Sequence, residues 1–541
     1  MRSKKLFALL ATLALTVSVL SACGNSSNND ASPAPAASVA PAASAAAPAA
    51  SATPTASAAP VAAPAPTGKN SWVVATENEP DSITTVEHNA TASNYINQLT
   101  YSGLFKQHES LAMVPNLVKS YKAISDTEWE MEIYQGVKFH DGTELTSADV
   151  KATVEYAKNF LIVEQFTQGI KGVEIIDDYT FVLSTFTPSS TVFSDLASAA
   201  HYILPKAAID SGHNFGEQPI GTGPYKFTKW NLGDSLQFER FEDYFSDESN
   251  STIDKLEWRI IPEGSSRTIA LENGEIDMIV EVATIDVDRL DASSDIVLMM
   301  KPSTTHNYLM INNELPAFSN QKVRQALNAA IDREAIVEVA TNGLAIPVYT
   351  QAPIGFPGST DADIITYDPE LAKELMAESG VDPSTIKFSM ICSNEEKRRS
   401  AEVIQANLLE LGITAEIETM DLATYLAQTS EGNYTAAIGG YTSSNLVTYL
   451  KGVHSSKQIG GANRSRCNNP EIDALIEKSE TTADDAARIA FENECISLLN
   501  QWAPQIPLYQ AQIIRAYNKN LEGLIFTGTG SMYFDNLRWA E

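Results

Sequence analysis

Stretches in which apolar residues alternate with polar ones, rich in β-branched and aromatic side chains, recur along most of the chain. "SWVVATENE" (71–79), "EWEMEIYQG" (128–136), "YTFVLSTF" (179–186) and "KLEWRIIP" (255–262) fit the period of two expected of half-buried strands. Between them lie segments with helical signals. Asp141-Gly142 marks a turn, and Thr146 with Asp149 three residues on predicts a capping box opening a helix that runs to about Phe160. A helix is expected around Arg324, with Asp332 capping the next. Two more are expected at 470–479 and 483–499. Strand and helix signals alternating in this way predict an α/β architecture.

The first 69 residues break this pattern. Arg2, Lys4 and Lys5 precede an uncharged apolar block from Leu6 to Leu20, the layout of a secretory signal. The block falls short of the roughly 20 residues that span a bilayer. Residues 31–66 contain only Ala, Ser, Pro, Val and Thr, too little bulky apolar surface to offset chain entropy, and are expected to form a disordered tether.

Composition narrows the function. The formal charge of −31 becomes −34 without Arg2, Lys4 and Lys5. A chain this acidic is a poor partner for nucleic acid, whose phosphates need clustered Lys and Arg. The roughly 470 residues of the body exceed what one hydrophobic core usually serves, so two or three lobes are expected. The seven histidines lie at 88, 108, 140, 201, 213, 306 and 454, without paired metal-ligand spacing. No G-x-S-x-G or H-E-x-x-H occurs, and neither an enzyme activity nor a cofactor is expected, although the plentiful carboxylate pairs of so acidic a chain keep a secreted hydrolase of the glycosidase kind as a remote alternative. Cys467 precedes the helix expected at 470–479 and Cys495 lies late in the one at 483–499, so an antiparallel pairing of the helices would bring them close; a bridge between them and two buried thiols are both open readings.

Five segments carry a resemblance. "FHDGTELTSADVKATVEYAKN" (139–159), "PIGTGPYKFTKW" (219–230), "LENGEIDM" (271–278), "NNELPAFSNQKVRQALNAAIDREAIV" (312–337), and "NNPEIDALIEKSETT" with "APQIPLY" (503–509) stand in this order. Together they resemble the signature segments of the family 5 extracellular solute-binding proteins, receptors of peptide, nickel and related ABC importers. "LSAC" (20–23) likewise resembles a lipobox, implying cleavage after residue 22 and lipidation of Cys23.

The resemblance implies a two-lobed periplasmic-binding-protein-like fold of the class II, or cluster C, type with an extra domain in the first lobe. Residues 1–22 would be a lipoprotein signal peptide and 23–69 a lipidated tether. Segments 70–100, 213–305 and 511–541 would make the first lobe, 101–212 the extra domain and 306–510 the second lobe. It further implies an extracytoplasmic monomer, anchored to the cell membrane by lipid, that traps a peptide or other small solute in an interlobe cleft for a permease and ATPase complex. A metal chelate or an oligosaccharide is the alternative ligand.

The loop where peptide-binding members carry an aspartate corresponds to "AAIGGYTSSNLVTYL" (436–450), which contains no carboxylate. Gly440, Tyr441, Thr442, Ser443, Ser444 and Asn445 there offer neutral hydrogen-bonding groups, suited to hydroxyls or amides. The opposite wall is expected to include Asn78 and Glu79, the latter as a replacement anion. His306, Asn307 and Tyr308, with Tyr509 and Gln510, are expected to face the cleft where the chain crosses between lobes. Gly221-Thr222-Gly223-Pro224 reads as a tight turn, not a phosphate cradle, and Arg324 and Asp332 as packing and capping groups.

Overall fold

The computed structural model describes residues 69–88, 90–246 and 251–540, so the signal, Cys23 and most of the tether lie outside the described residues. No helix among the described residues is long and apolar enough to cross a membrane. The expected strands form as Ser71–Thr76, Glu128–Ile133, Thr180–Thr185 and Lys255–Ile260. Each is shorter than its sequence pattern; the last stops two residues before Pro262, which has no amide hydrogen for the ladder. The helix after Asp141-Gly142 spans Ser147–Ala157, and the Asp149 carboxylate accepts from the Thr146 amide at 2.8 Å as the capping box requires.

An 11-stranded mixed sheet forms the backbone of the body. Two long strands, Ile296–Ile311 and Gln505–Asn518, run antiparallel through its middle. The first half of one pairs with the second half of the other, from Ile296 against Asn518 to Pro302 against Gln512. Their remaining halves pair from His306 against Gln510 to Met310 against Gln505, after a register shift between Pro302 and His306. On one side of these crossing strands lie Met278–Ile279, Ser71–Thr76, Lys255–Ile260, Ser235–Arg240 and Tyr225–Asn231; on the other lie Ala436–Thr442, Lys387–Cys392 and Thr414–Thr419.

The buried side chains separate along the same line. Trp72, Tyr225, Trp258 and Phe534 share one core, and Leu309, Val323, Ile404 and Ile438 share another. A separate four-stranded antiparallel sheet, with Trp129, Phe139 and Phe181 packed on it, builds its own core from residues 104–203. The fold is therefore two-lobed α/β with an additional domain.

Gly221 and Gly223 pass directly over the end of helix Thr91–Thr100, and the Gly223 amide donates to the Thr100 carbonyl at 2.9 Å. Asp332 caps helix Arg333–Thr341 through the Ala335 amide at 3.0 Å. Arg324 is buried and donates only to main-chain carbonyls, those of Phe318, Ser319, Trp502 and Ala503. The bridge considered for Cys467 and Cys495 is not formed. The antiparallel helices Pro470–Thr481 and Asp485–Trp502 do place both in one apolar cluster, but as free buried thiols. Burial pushes the Cys467 thiol up to about 12, so it behaves as a small hydrophobe rather than a reactive thiolate.

Candidate ligand-binding site

Strand Ala436–Thr442 carries the loop singled out in the sequence. One edge pairs with the first crossing strand, Gly440 opposite Asn307 and Tyr441 opposite His306. The other edge pairs with Lys387–Cys392 only at Ala436 and Ala437, because that neighbour gives way to the Asn394-capped helix Glu395–Glu410. Beyond Ile438, whose carbonyl accepts from the Tyr425 hydroxyl at 3.0 Å, the edge from Gly439 to Tyr441 has no strand beyond it among the described residues. The chain then turns through Ser443 and Ser444, and Asn445 caps helix Leu446–His454 by accepting from the Thr448 amide at 2.8 Å.

Cavities flank this loop on both sides. One, of about 200 Å³, lies between helix Thr91–Thr100, residues 194–202, the 529–533 turn and Ser444. Its wall is aromatic, hydroxylic and amidic, with Tyr95, Gln98, Gln107, Ser194 and Tyr202 prominent and no Asp, Glu, Lys or Arg. Gln107 donates to the Ser444 carbonyl at 3.2 Å and Asn445 to the Ser194 hydroxyl at 3.1 Å, so the loop touches the opposite wall through neutral groups. The other cavity, of about 310 Å³, lies against the open strand edge and is lined by Tyr308, Tyr425, Gly439, Tyr441, Lys397 and Arg464 among others.

The anticipated residues divide between surface and interior. Ser444 lines the first cavity; Tyr308, Gly440 and Tyr441 line the second. Thr442 is exposed and paired by hydrogen bond with Thr305 at 2.8 Å, while Ser443 is buried and donates to the Asn445 carbonyl at 2.5 Å. His306, Asn307, Tyr509 and Gln510 do not line either cavity: all four are buried and engaged internally. Asn307 and Tyr509 both accept from the Lys397 ammonium, at 2.6 and 2.9 Å. Gln510 exchanges hydrogen bonds with the Ile354 main chain at 2.8 and 3.0 Å, bracing the loop that follows the short strand Ala345–Pro347. These four side chains lie where the crossing strands run between two layers, so both faces of the strand are covered there.

Asn78 and Glu79, expected on the opposite wall, stand at the hairpin of residues 225–240. The Glu79 carboxylate accepts from the Trp230 indole and from the Gly233 amide, each at 2.8 Å, and so fastens the hairpin that links Tyr225–Asn231 to Ser235–Arg240. Neither Asn78 nor Glu79 lines the cavities beside the 440–445 loop. A carboxylate that close to an indole N–H and a turn amide is a structural anchor, and the anion missing from the loop is not supplied there.

His306 is fully buried, 2.5 Å from the Tyr449 hydroxyl, and burial together with nearby His454 pulls its imidazolium pKa down to about 3. The folded value lies below the ordinary 6.5, so the stability it confers is complete above about pH 6.5 and is lost as pH falls toward 3. Between pH 7 and pH 5 this amounts to roughly 2 kcal/mol. Urea titrations at the two pH values should therefore show a smaller acid loss, by about that amount, in His306→Gln than in the parent. Equal losses would mean that the ring is solvated or charged in the fold.

Sequence reasoning missed Lys397 and Arg464 on one side of the loop and Gln107 and Ser194 on the other. Arg464 and Lys397 left a trace as basic residues in "GANRSRC" and "EEKRRS" within so acidic a chain, whereas Gln107 and Ser194 left none.

A family model described as "Bacterial extracellular solute-binding proteins, family 5 Middle" matches residues 112–453. The glutathione-binding protein GsiB of Pectobacterium atrosepticum is 28% identical over 468 residues, spanning 83% of this chain and 90% of that protein. Among solved structures, HbpA2 from Haemophilus parasuis superposes with a TM-score of 0.81 at 24% identity, covering 87% of this chain and all, 100%, of the other. DppA from Helicobacter pylori in complex with the peptide STSA gives a TM-score of 0.66 at 23% identity, covering 87% and 98%.

Proposed function

The chain belongs to the bacterial extracellular solute-binding proteins of family 5, receptors of ABC importers, and we propose that its own solute is an oligopeptide or peptide-like molecule held along the 440–445 loop. The observation that carries this reading is the open strand edge from Gly439 to Tyr441 facing a cavity. An extended peptide can add there as a further strand, satisfying main-chain donors and acceptors that the fold leaves unpaired. The relatives point the same way, one being a glutathione-binding protein and another a structure with a bound peptide.

Segments 70–100, 213–305 and 511–541 on one side and 306–510 on the other act as the two jaws, with 101–212 extending the first. The crossing strands serve as the hinge, and the register shift between Pro302 and His306 is where they yield. Ligand selects the closed state because only that state offers contacts from both walls. The receptor works as a monomer, delivers its solute to a permease and ATPase complex, and is held at the membrane by lipid on Cys23; Cys23→Ser should release it into the medium.

Calorimetric titration with glutathione and pools of tripeptides tests the solute class. Tyr441→Ala should weaken binding about tenfold, the scale of one lost aromatic contact, without lowering the urea midpoint. Because neither cavity offers a carboxylate, a free α-ammonium gains no counter-charge. N-acetylated tripeptides should therefore bind within about threefold of their free-amine counterparts, against the large loss expected where an ammonium is ion-paired. The hydroxyl- and amide-lined cavity favours an oligosaccharide as the second reading, and binding of neutral sugars with no peptide binding would replace the first.

A further inference from the structure

The cavity against the strand edge has an uneven charge. Its lining includes two cations, Lys397 and Arg464, and no Asp or Glu. The two cations are not equivalent. Lys397 is buried, and its three ammonium hydrogens are taken by Asn307, Glu396 and Tyr509 at 2.6, 3.0 and 2.9 Å; the Glu396 carboxylate balances its charge. Arg464 is half-buried and held only by neutral oxygens, its Nε donating to the Gly461 carbonyl at 3.3 Å and its Nη1 to the Thr429 hydroxyl at 2.5 Å. It makes no ion pair among the described residues, although acidic residues outnumber basic ones 68 to 37 in the chain. The two hydrogen bonds engage Nε and Nη1, and Nη2 has no protein partner among the described residues, in a side chain that lines the cavity.

We propose that Arg464 is the specificity-determining residue for a carboxylate on the solute, so that the receptor selects acidic, peptide-like molecules over their neutral counterparts. This rests on the reading of the open strand edge as the solute's seat. A carboxylate fits better than a phosphate, because one oriented guanidinium with neutral hydroxyls around it matches a planar monoanion, whereas a dianion needs more donors. Tyr308 and Tyr441, whose hydroxyl pKa values burial raises, stay neutral beside it, as does Tyr425, whose hydroxyl already donates to the Ile438 carbonyl. Main-chain pairing along Gly439–Tyr441 sets the direction of the bound chain, and Arg464 reads its acidic end or side chain.

The test titrates the intact protein with matched tripeptide pools, one with free C-terminal carboxylates and one amidated, and with a panel of uronic acids beside the corresponding neutral sugars. Acids should bind roughly 10- to 100-fold more tightly than neutral partners, the range of a charge-assisted hydrogen bond. Arg464→Gln should abolish that ratio while keeping the binding of the neutral pool, and Arg464→Lys should restore part of it. Tripeptide acids and amides bound alike by the parent, or a ratio unchanged in Arg464→Gln, would overturn the role of Arg464 and leave the peptide reading standing. Uronic acids bound in an Arg464-dependent way, with no tripeptide bound, would uphold the role of Arg464 and overturn the peptide reading.

Discussion

Replacing Arg333 by methionine should cost the fold about 3–5 kcal/mol, even though methionine fills nearly the same space and removes a buried charge. The Arg333 side chain is 0% exposed, and burial lowers its pKa to about 10. No carboxylate among the described residues pairs with it by hydrogen bond. Its fork instead donates to the main-chain carbonyls of Asn328, Ile331 and Pro507, at 2.6, 2.5 and 3.0 Å, and to the Asn328 side-chain oxygen. Replacing a buried ion pair with apolar groups can be neutral because both partners are exchanged together. Carbonyls cannot be exchanged, and each one left dry and unpaired costs about 1–3 kcal/mol. The Pro507 carbonyl matters most, since it sits where the second crossing strand slips register so that Tyr308 faces Pro507 and Asn307 faces Tyr509. Urea unfolding of Arg333→Met beside Arg333→Lys measures the effect; lysine keeps the charge but not the fork, and should recover only part. A loss below about 1 kcal/mol in the methionine variant would mean that water reaches those carbonyls.

The fold was legible in the sequence to the extent that it is written in short-range signals. Thr146 with Asp149, Asp332, Pro470 and the alternating strands each act over a few residues, and each appears as expected. The site was less legible because its parts are assembled across the chain. Tyr441 and Ser444, expected from their loop, line the two cavities, yet the neighbours that line them too, Arg464, Lys397 and Gln107, come from separate elements with no local pattern to join them. Glu79 shows the converse: a carboxylate at a strand end is visible in sequence, but whether it faces a cleft or clasps Trp230 depends on a hairpin some 150 residues on, as the separation of 151 positions between them attests. His306 and Gln510 were expected at the cleft because they stand where the chain crosses between lobes, and the sequence does not show that the second half of the first crossing strand and the first half of the second are buried on both faces.

Gly223→Ala should cost about 3 kcal/mol or more and weaken solute binding with it. A methyl group there would lie 2.5 Å from the Leu99 carbonyl oxygen, 2.5 Å from the Thr100 carbonyl carbon and 2.7 Å from the Tyr101 amide nitrogen, all main-chain atoms that cannot swing aside. Either the turn lifts, breaking the Gly223 to Thr100 hydrogen bond of 2.9 Å, or the end of helix Thr91–Thr100 moves. That helix carries Thr91, Asn94, Tyr95 and Gln98 on the wall of the cavity opposite Ser444, so its displacement reaches the solute. Gly172→Ala supplies the control: it lies in strand Ile170–Ile175 with nothing within 4 Å of the added methyl group, and its effect should stay within about 0.5 kcal/mol. Loss of stability without loss of binding in Gly223→Ala would place the solute on the second-lobe side of the loop alone. Loss of both would make this turn, read in the sequence only as a marker of the fold, the support on which the first wall of the cleft is set.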